Sequence, residues 1–336
     1  MLFPLRKTIL AGKALLRHSL QTVLAPVAGG AFARPIMLAS ICGLLFLGIL
    51  SSTAPQAFAA QTKPPYAESY YVTSSSNTTA YNLGCSQGHA DSNWKANSLV
   101  VLDFGGQLAD GSGVDNWDVG PMSNASVENV AEGFANGYQH CSSTTRLTLA
   151  VGTNNSAGDV STSGGSTWAH VVSAVAASDS NNGFTRVSAM GGNDIEPSWG
   201  GANSWGPAEA WATGYSNVGS SLYVDYGSAD GCPTTVSNDA ACNNGWHQYG
   251  LWYVSWGAGK AVPAPQIYSD TMALQWQKIS LYGAQNKNSR LDIWGPMSTP
   301  AYITPTQAWD DLSNALNSNS ATAQNMKYLL EISWTW

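Results

Sequence analysis

Two carboxylates stand two residues apart in "GGNDIEPSWG", Gly191 to Gly200: Asp194 and Glu196, followed by Pro197 and Trp199. Only 10% of the 336 residues are charged, so a paired acid beside an apolar run is distinctive. Strand side chains alternate faces, which points Asp194 and Glu196 the same way, with Ile195 opposite and the two Cα atoms about 6.5–7 Å apart. Two carboxyl groups this close in a partly buried site do not both ionise easily, and one is pushed to keep its proton. A protonated acid beside an ionised one is the equipment for cleaving a glycosidic bond. The bland reading is a pair that caps loop N–H groups or holds a structural cation.

The elements around the pair read as strands alternating with helices. "SLVVLDFGG" (98–106), "RLTLAVGT" (146–153), "RVSAMGGNDIE" (186–196), "SLYVDYGS" (221–228), "GLWYVSWG" (250–257), "LDIWG" (291–295) and "YLLEISW" (328–334) are strand-like runs. Residues 265–283 supply one more strand. Helices are expected over 123–140, 166–178, 206–219 and 304–318. This alternation gives βαβ units and a parallel sheet. The fold class is therefore α/β, a (β/α)8 TIM-type barrel with a short polar N-terminal extension. No G-x-G-x-x-G follows the first strand, which argues against a dinucleotide fold.

In such a barrel the chemistry sits at the C-terminal ends of the strands. Asp103, Asp194, Glu196, Asp225, Asp292 and Glu331 are placed there by the strand assignments. Fourteen Trp residues are the second signal. Indole planes stack on the C–H faces of sugars and indole N–H groups bond hydroxyls. Most of them belong in the core. Trp199, Trp256 and Trp294 are expected to line the mouth.

Residues 1–60 carry five basic residues and no acidic one, then the uncharged run Ile36–Leu50, then "SSTAPQAFAA" with Ala57 and Ala59 in small-x-small spacing. This reads as a secretory signal peptide. The rival is an uncleaved anchor, although the run is shorter than the ~20 residues a spanning helix needs. Residues 61–95, polar and rich in Ser and Asn, read as a linker and N-terminal cap. Residues 96–336 form a single barrel domain. Beyond residue 60 the chain keeps nine Lys and Arg against 21 Asp and Glu, a net charge of −12. So acidic a surface repels nucleic acid and anionic membrane, and a secreted monomer is expected. Four cysteines remain: Cys85, Cys141, Cys232 and Cys242. In an exported chain these make two disulfides. Cys232–Cys242 closes a short polar loop, which leaves Cys85–Cys141. Zinc is disfavoured, because C-x-x-C spacing is absent. No metal or cofactor is expected.

Taken in order, these segments resemble family 25 glycoside hydrolases, the muramidase-type lysozymes. "VVLDFGGQ" is similar to that family's first-strand D-x-S-x-x-Q stretch, and "DIEPSW" to its D-x-E strand. The 91-residue separation of Asp103 from Asp194 is also similar. "GLWYVSWG" resembles its strand ending in an aromatic, "ALQWQKIS", with Gln275, its W-Q-Y segment, and "RLDIWG" its late V-D-L-N strand. The resemblance implies a barrel that cleaves the β-1,4 bond after N-acetylmuramic acid in peptidoglycan. It implies Glu196 as general acid and Asp194 as the residue that orients the substrate acetamido group or stabilises the positive intermediate. Asp103 and Asp292 would complete an acidic floor, and Asp225, Trp199, Trp256, Trp294 and Gln275 would contact substrate. The sequence departs from the pattern at Gly191, Gly192 and Asn193 before the pair, at Phe104 and Lys278, and at Trp294.

Other chemistries fit less well. Serine hydrolysis wants a G-x-S-x-G elbow, and none is present. His89 and His247 have no evident partners. The loop 108–120 holds Asp110, Asp115 and Asp118 without the EF-hand pattern. The expectation is a secreted hydrolase of polysaccharide or peptidoglycan. The rival from another class is a non-catalytic glycan-binding barrel, with Phe104 or Trp294 filling the cleft.

Overall fold

The computed structural model describes residues 61–336 apart from 157, 159, 200–203 and 335. The described residues belong to one structural unit. The expected signal peptide lies outside the described residues. In chain order the elements are β1 (Tyr66–Tyr71), α1 (Asn77–Trp94), β2 (Ser98–Gln107), β3 (Gly113–Asn116), β4 (Gly120–Ser123), α2 (Asn124–Cys141), β5 (Leu147–Asn154) and α3 (Thr162–Asn181). Then come β6 (Val187–Asp194), α4 (Trp205–Val218), β7 (Tyr223–Asp225), α5 (Gln248–Trp252), β8 (Ala261–Pro263), α6 (Asp270–Asn286), β9 (Met297–Ser298), α7 (Pro305–Asn317) and β10 (Leu329–Ser333).

The fold is α/β. Parallel strands run in the order β8-β7-β6-β5-β2-β1-β10-β9, and β3 and β4 form an antiparallel hairpin off the end of β2. The sheet curls in the manner of a TIM-type barrel. Beyond β8, Gln266 makes a parallel bridge to Met297, Ile267 N–H donates to the Met297 carbonyl (2.8 Å), and Met297 N–H donates to that of Pro265 (2.8 Å).

The period-two alternation of each strand sorts its side chains into two apolar clusters. Leu99, Val101, Ala150, Met190, Val224, Val262, Met297 and Leu330 pack together on the inner face. Val100, Leu102, Leu149 and Val151 face outward against helix residues such as Val130, Phe134, Trp168 and Val172. A fully buried Val or Leu contributes roughly 1.5–3 kcal/mol, so a one-residue slip of any strand would be heavily penalised. Helix starts follow their caps: the Oγ atoms of Ser76, Ser123, Ser161 and Ser269 and of Thr304 each accept a backbone N–H three residues on.

Several expectations are corrected. Residues 61–95 are neither linker nor cap. β1 pairs with β10 along its length and with β2 at its end, and α1 packs on α2. That helix pair explains the misleading composition. A Cβ on Gly84 would lie 2.0 Å from the Phe134 carbonyl oxygen, and one on Gly137 would lie 2.0 Å from that of Tyr81. Small residues let the two backbones touch, and in sequence they look like a linker. "SLVVLDFGG" is consequently the second barrel strand. "GLWYVSWG" is helical: α5 runs into a π-helical turn at Tyr253–Gly257. Most of 265–283 is helix α6. The strand expected at 291–295 is displaced to β9, two residues long.

Both disulfides form as expected, Cys85–Cys141 and Cys232–Cys242. The first joins α1 to the C-terminus of α2, and the two bridges point to an oxidising compartment. Among the described residues, no helix is long and apolar enough to cross a membrane.

Candidate active site at the strand C-termini

The inner face of the strands turns polar at its C-terminal end. Tyr71 of β1, Asp103 of β2, Asn154 of β5, Asp194 of β6, Tyr226 after β7 and Gln266 after β8 share that face, and all are buried. Gly192, two residues before Asp194, and Gly152 on β5 make room for this layer. A Cβ on Gly192 would meet the Tyr226 ring at 3.0 Å, and one on Gly152 would meet its hydroxyl at 2.4 Å. Tyr226 thus lies across the strands, its hydroxyl donating to the Thr153 carbonyl (2.8 Å). Gly191, facing out, admits the Tyr215 ring in the same way.

Asp194 is fully buried. The Gln266 amide lies 3.0 Å from each of its oxygens, and the Tyr71 hydroxyl donates to Oδ2 (3.3 Å). Glu196 is 8% exposed. Asn155 fixes its backbone from both sides, accepting the Glu196 N–H (3.0 Å) and donating to its carbonyl (3.1 Å). Asp103 Oδ1 accepts the Gly105 N–H (2.7 Å) and the Asn154 amide (3.3 Å).

Burial dominates the electrostatics. It raises the Glu196 carboxyl to about 8, helped by the charges of Asp230 and Asp225. It raises Asp194 well above the usual carboxylate range, with Glu196, Asp103 and Asp225 adding to the effect. Asp103 rises to about 6 for the same first reason, opposed by the hydrogen bonds from the Gly105 N–H and the Asn154 amide. At neutral pH the Asp194–Glu196 pair therefore holds at least one proton. Gln266 and Tyr71 direct donors at Asp194, and Ser228 and Gln266 oppose the rise at Glu196, so burial leaves both carboxyls raised and Glu196 is the more open of the two.

Aromatic rings rise from this floor to solvent. Tyr71 stacks on Trp334 (centroids 4.0 Å) and lies 5.7 Å from Trp117, which meets Trp199 edge-on at 6.2 Å. Trp117, on the β3–β4 turn, and Trp334 are both more than half exposed. Tyr268, also beside the acids, stacks on the exposed Tyr302 at 4.7 Å.

Of the sequence-predicted site residues, Asp103, Asp194, Glu196 and Trp199 meet here. Asp225 does not: it follows the inward Val224, faces the helices and accepts from Ser255 Oγ. Burial raises its carboxyl to about 7. Gln275 is on α6 and donates to the Cys232 carbonyl (2.9 Å), steadying the disulfide loop. Asp292, Trp256 and Trp294 lie at the opposite end of the strands, because the segments that carry them precede strands instead of ending them. Sequence reading missed Tyr71, Trp117, Gln266, Tyr268 and Trp334. Tyr71 and Trp334 were findable, each falling at the C-terminal end of a strand-like run.

No family model matches the sequence, and no curated protein matches it. A solved structure described as a mandelate racemase/muconate lactonizing enzyme, from Labrenzia alexandrii DFL-11, is similar over 80% of this chain and 54% of its own, at 12% identity and a TM-score of 0.42. The chain spans about half the length of that protein.

Proposed function

We propose that the protein is a secreted glycan hydrolase built on a complete (β/α)8 barrel, the Gln266–Met297 bridge serving as its closing seam. The observation that carries the proposal is the buried pairing of Glu196 with the amide-anchored Asp194 beneath the rings of Trp117, Trp199 and Trp334. Glu196 gives its proton to the glycosidic oxygen as the bond to the anomeric carbon breaks. Asp194, held by Gln266 and Tyr71, stabilises the positive charge that develops, or orients a substrate acetamido group that attacks the anomeric carbon. Water then completes hydrolysis, with the Glu196 carboxylate taking its proton. Peptidoglycan is the favoured substrate through the family 25 resemblance, although Asp103 sits on the second strand and "GLWYVSWG" is helical. The binding-protein reading expected the cleft to be filled by side chains such as Phe104 or Trp294 and the acids to be bonded to backbone; Asp103 does accept the Gly105 N–H. Phe104 packs outward with the helices, and Trp294 is at the other end of the barrel.

Incubation with peptidoglycan, chitin and plant polysaccharides, with new reducing ends read by mass spectrometry, tests the proposal. Products from the wild type and none from Glu196→Gln are expected. No products from any substrate would favour the glycan-binding reading, and equal products from both proteins would remove Glu196 from the chemistry.

A further inference from the structure

Among the described residues, the Lys and Arg side chains are segregated to one end of the fold. Lys63 precedes β1, Lys95 precedes β2, Arg146 precedes β5, Arg186 precedes β6 and Lys260 precedes β8. Lys287 and Arg290 lie between α6 and β9, and Lys327 precedes β10. Only Lys278, within α6, departs from this rule. The segments that lead from a strand into its helix contain no Lys or Arg at all. In a parallel sheet the two kinds of segment lie at opposite ends. One end is therefore acidic and carries the catalytic acids, and the other is cationic.

The cationic end holds a cavity of about 520 Å³, within the range of roughly 300–1,000 Å³ typical of small-ligand sites. Leu222, just before β7, and Ala261, opening β8, mark its position at the strand N-termini. Its walls include Trp252, Trp256 and Trp294. Ser289 fixes two of these indoles, its carbonyl accepting from Trp252 Nε1 (2.9 Å) and its Oγ from Trp256 Nε1 (2.8 Å). Their ring faces are thereby held in place. Two ammonium groups stand at the rim. Lys327 Nζ lies 4.9 Å over the Trp294 ring and 3.5 Å from Asp292 Oδ2, and Lys287 Nζ lies 5.8 Å over Trp252.

We propose that this cavity is a second, non-catalytic saccharide site that takes a pyranose ring bearing a carboxylate, as in a hexuronic acid or a lactyl-substituted amino sugar. Fixed indole faces suit the C–H face of a sugar. The two lysines supply the anion contacts. The Lys327–Asp292 pair is half exposed and thus weak, so an incoming carboxylate can compete for Lys327. The site would hold an acidic glycan at the end of the molecule away from the acids, and it does not depend on hydrolysis.

The test is calorimetric titration of the Glu196→Gln protein with a hexuronic acid trisaccharide and with its neutral, carboxyl-reduced counterpart. Preferential binding of the acidic sugar is expected. In the same background, Lys287→Gln with Lys327→Gln should weaken it about tenfold or more, one decade per 1.4 kcal/mol. Asp292→Asn should tighten it by freeing Lys327, and Trp294→Ala should weaken both sugars. Equal affinity for the two sugars, no detectable binding, or an unchanged affinity in the double lysine variant would each overturn the proposal. Hydrolysis can fail in the reducing-end assay while this site survives, and the reverse also holds.

Discussion

The side-chain amide of Gln266 stands 3.0 Å from both carboxylate oxygens of Asp194. The two residues are 72 apart in sequence, at the end of β6 and just after β8, with β7 between them in the sheet. Gln266 is the residue whose backbone bridges to Met297. The group that orients the buried acid is therefore carried by the segment that joins the two ends of the strand path. Replacing it should reveal how much Asp194 depends on that donor. Gln266→Met keeps the volume and removes the amide. Loss of one charge-directed donor is worth about 1.5–3 kcal/mol, so kcat should fall roughly 10- to 100-fold with little change in KM. Steady-state kinetics on the substrate found in the reducing-end assay would check this, and an unchanged kcat would remove Gln266 from the mechanism.

Glu196 has consequences for both rate and stability. The proposed mechanism needs its proton, so kcat/KM should decline as pH rises through about 8. Stability follows the same group. Its folded pKa lies above its ordinary value of 4.5, so its contribution is fully present below pH 4.5 and is lost as pH rises toward 8. Thermal denaturation of Glu196→Gln should show a higher Tm than the wild type at pH 8 and little difference near pH 4. The same sign at both pH values would mean that the carboxyl titrates normally.

How much of this could be read from the sequence depends on where tertiary contacts override local pattern. Asp194 and Glu196 were legible because strand alternation alone puts them on one face. The strands 98–106 and 146–153 were legible because their apolar runs are nearly continuous, as buried parallel strands require, and 186–196 because an apolar-leaning run leads into the acid pair. α1 was hidden because its partner demands glycines at the contact, and glycine weakens any helical pattern. "GLWYVSWG" was misread because an aromatic, β-branched run favours a strand locally, whereas here it caps the outside of β7 and β8 as a helix. That error, with the displaced strand at 291–295, sent Trp256, Trp294 and Asp292 to the wrong end.

Asp225 separates face from proximity. It ends β7 beside the acids, yet its side chain turns to Ser255. Asp225→Asn should leave kcat within about twofold, because the residue touches no reacting atom. Asp225→Leu should cost about 1–3 kcal/mol by stranding the buried Ser255 hydroxyl. Chemical denaturation with parallel kinetics would check both. A large loss of kcat in the Asn variant would mean that its charge is needed at Glu196.

Asp179 offers a stability test unconnected with the site. It is 3% exposed on α3, and neither carboxylate oxygen has a hydrogen-bond partner among the described residues. Burial, with Glu132 nearby, raises it to about 7. A carboxyl raised in this way stabilises the fold least at high pH, so its contribution disappears as pH climbs from about 4 to 7. Asp179→Asn should raise Tm at pH 8 and leave it nearly unchanged at pH 4, with activity untouched.

Trp117 and Trp199 decide whether the mouth reads a chain or a single ring. They meet edge-on at 6.2 Å on two different loops, Trp117 on the β3–β4 turn and Trp199 beyond β6. Trp117 also borders Tyr71, which touches Asp194. The rings therefore run outward from the acids, and under the proposed function a sugar several units from the cleaved bond would lie there. Removing one stacking ring should cost about 1 kcal/mol or more of binding. Trp117→Ala should raise KM severalfold for long oligosaccharides, leave kcat close to wild type, and change neither constant for the shortest cleavable substrate. A loss of kcat on short substrates would place Trp117 at the reacting sugar, and no effect on any length would exclude the ring wall from substrate contact.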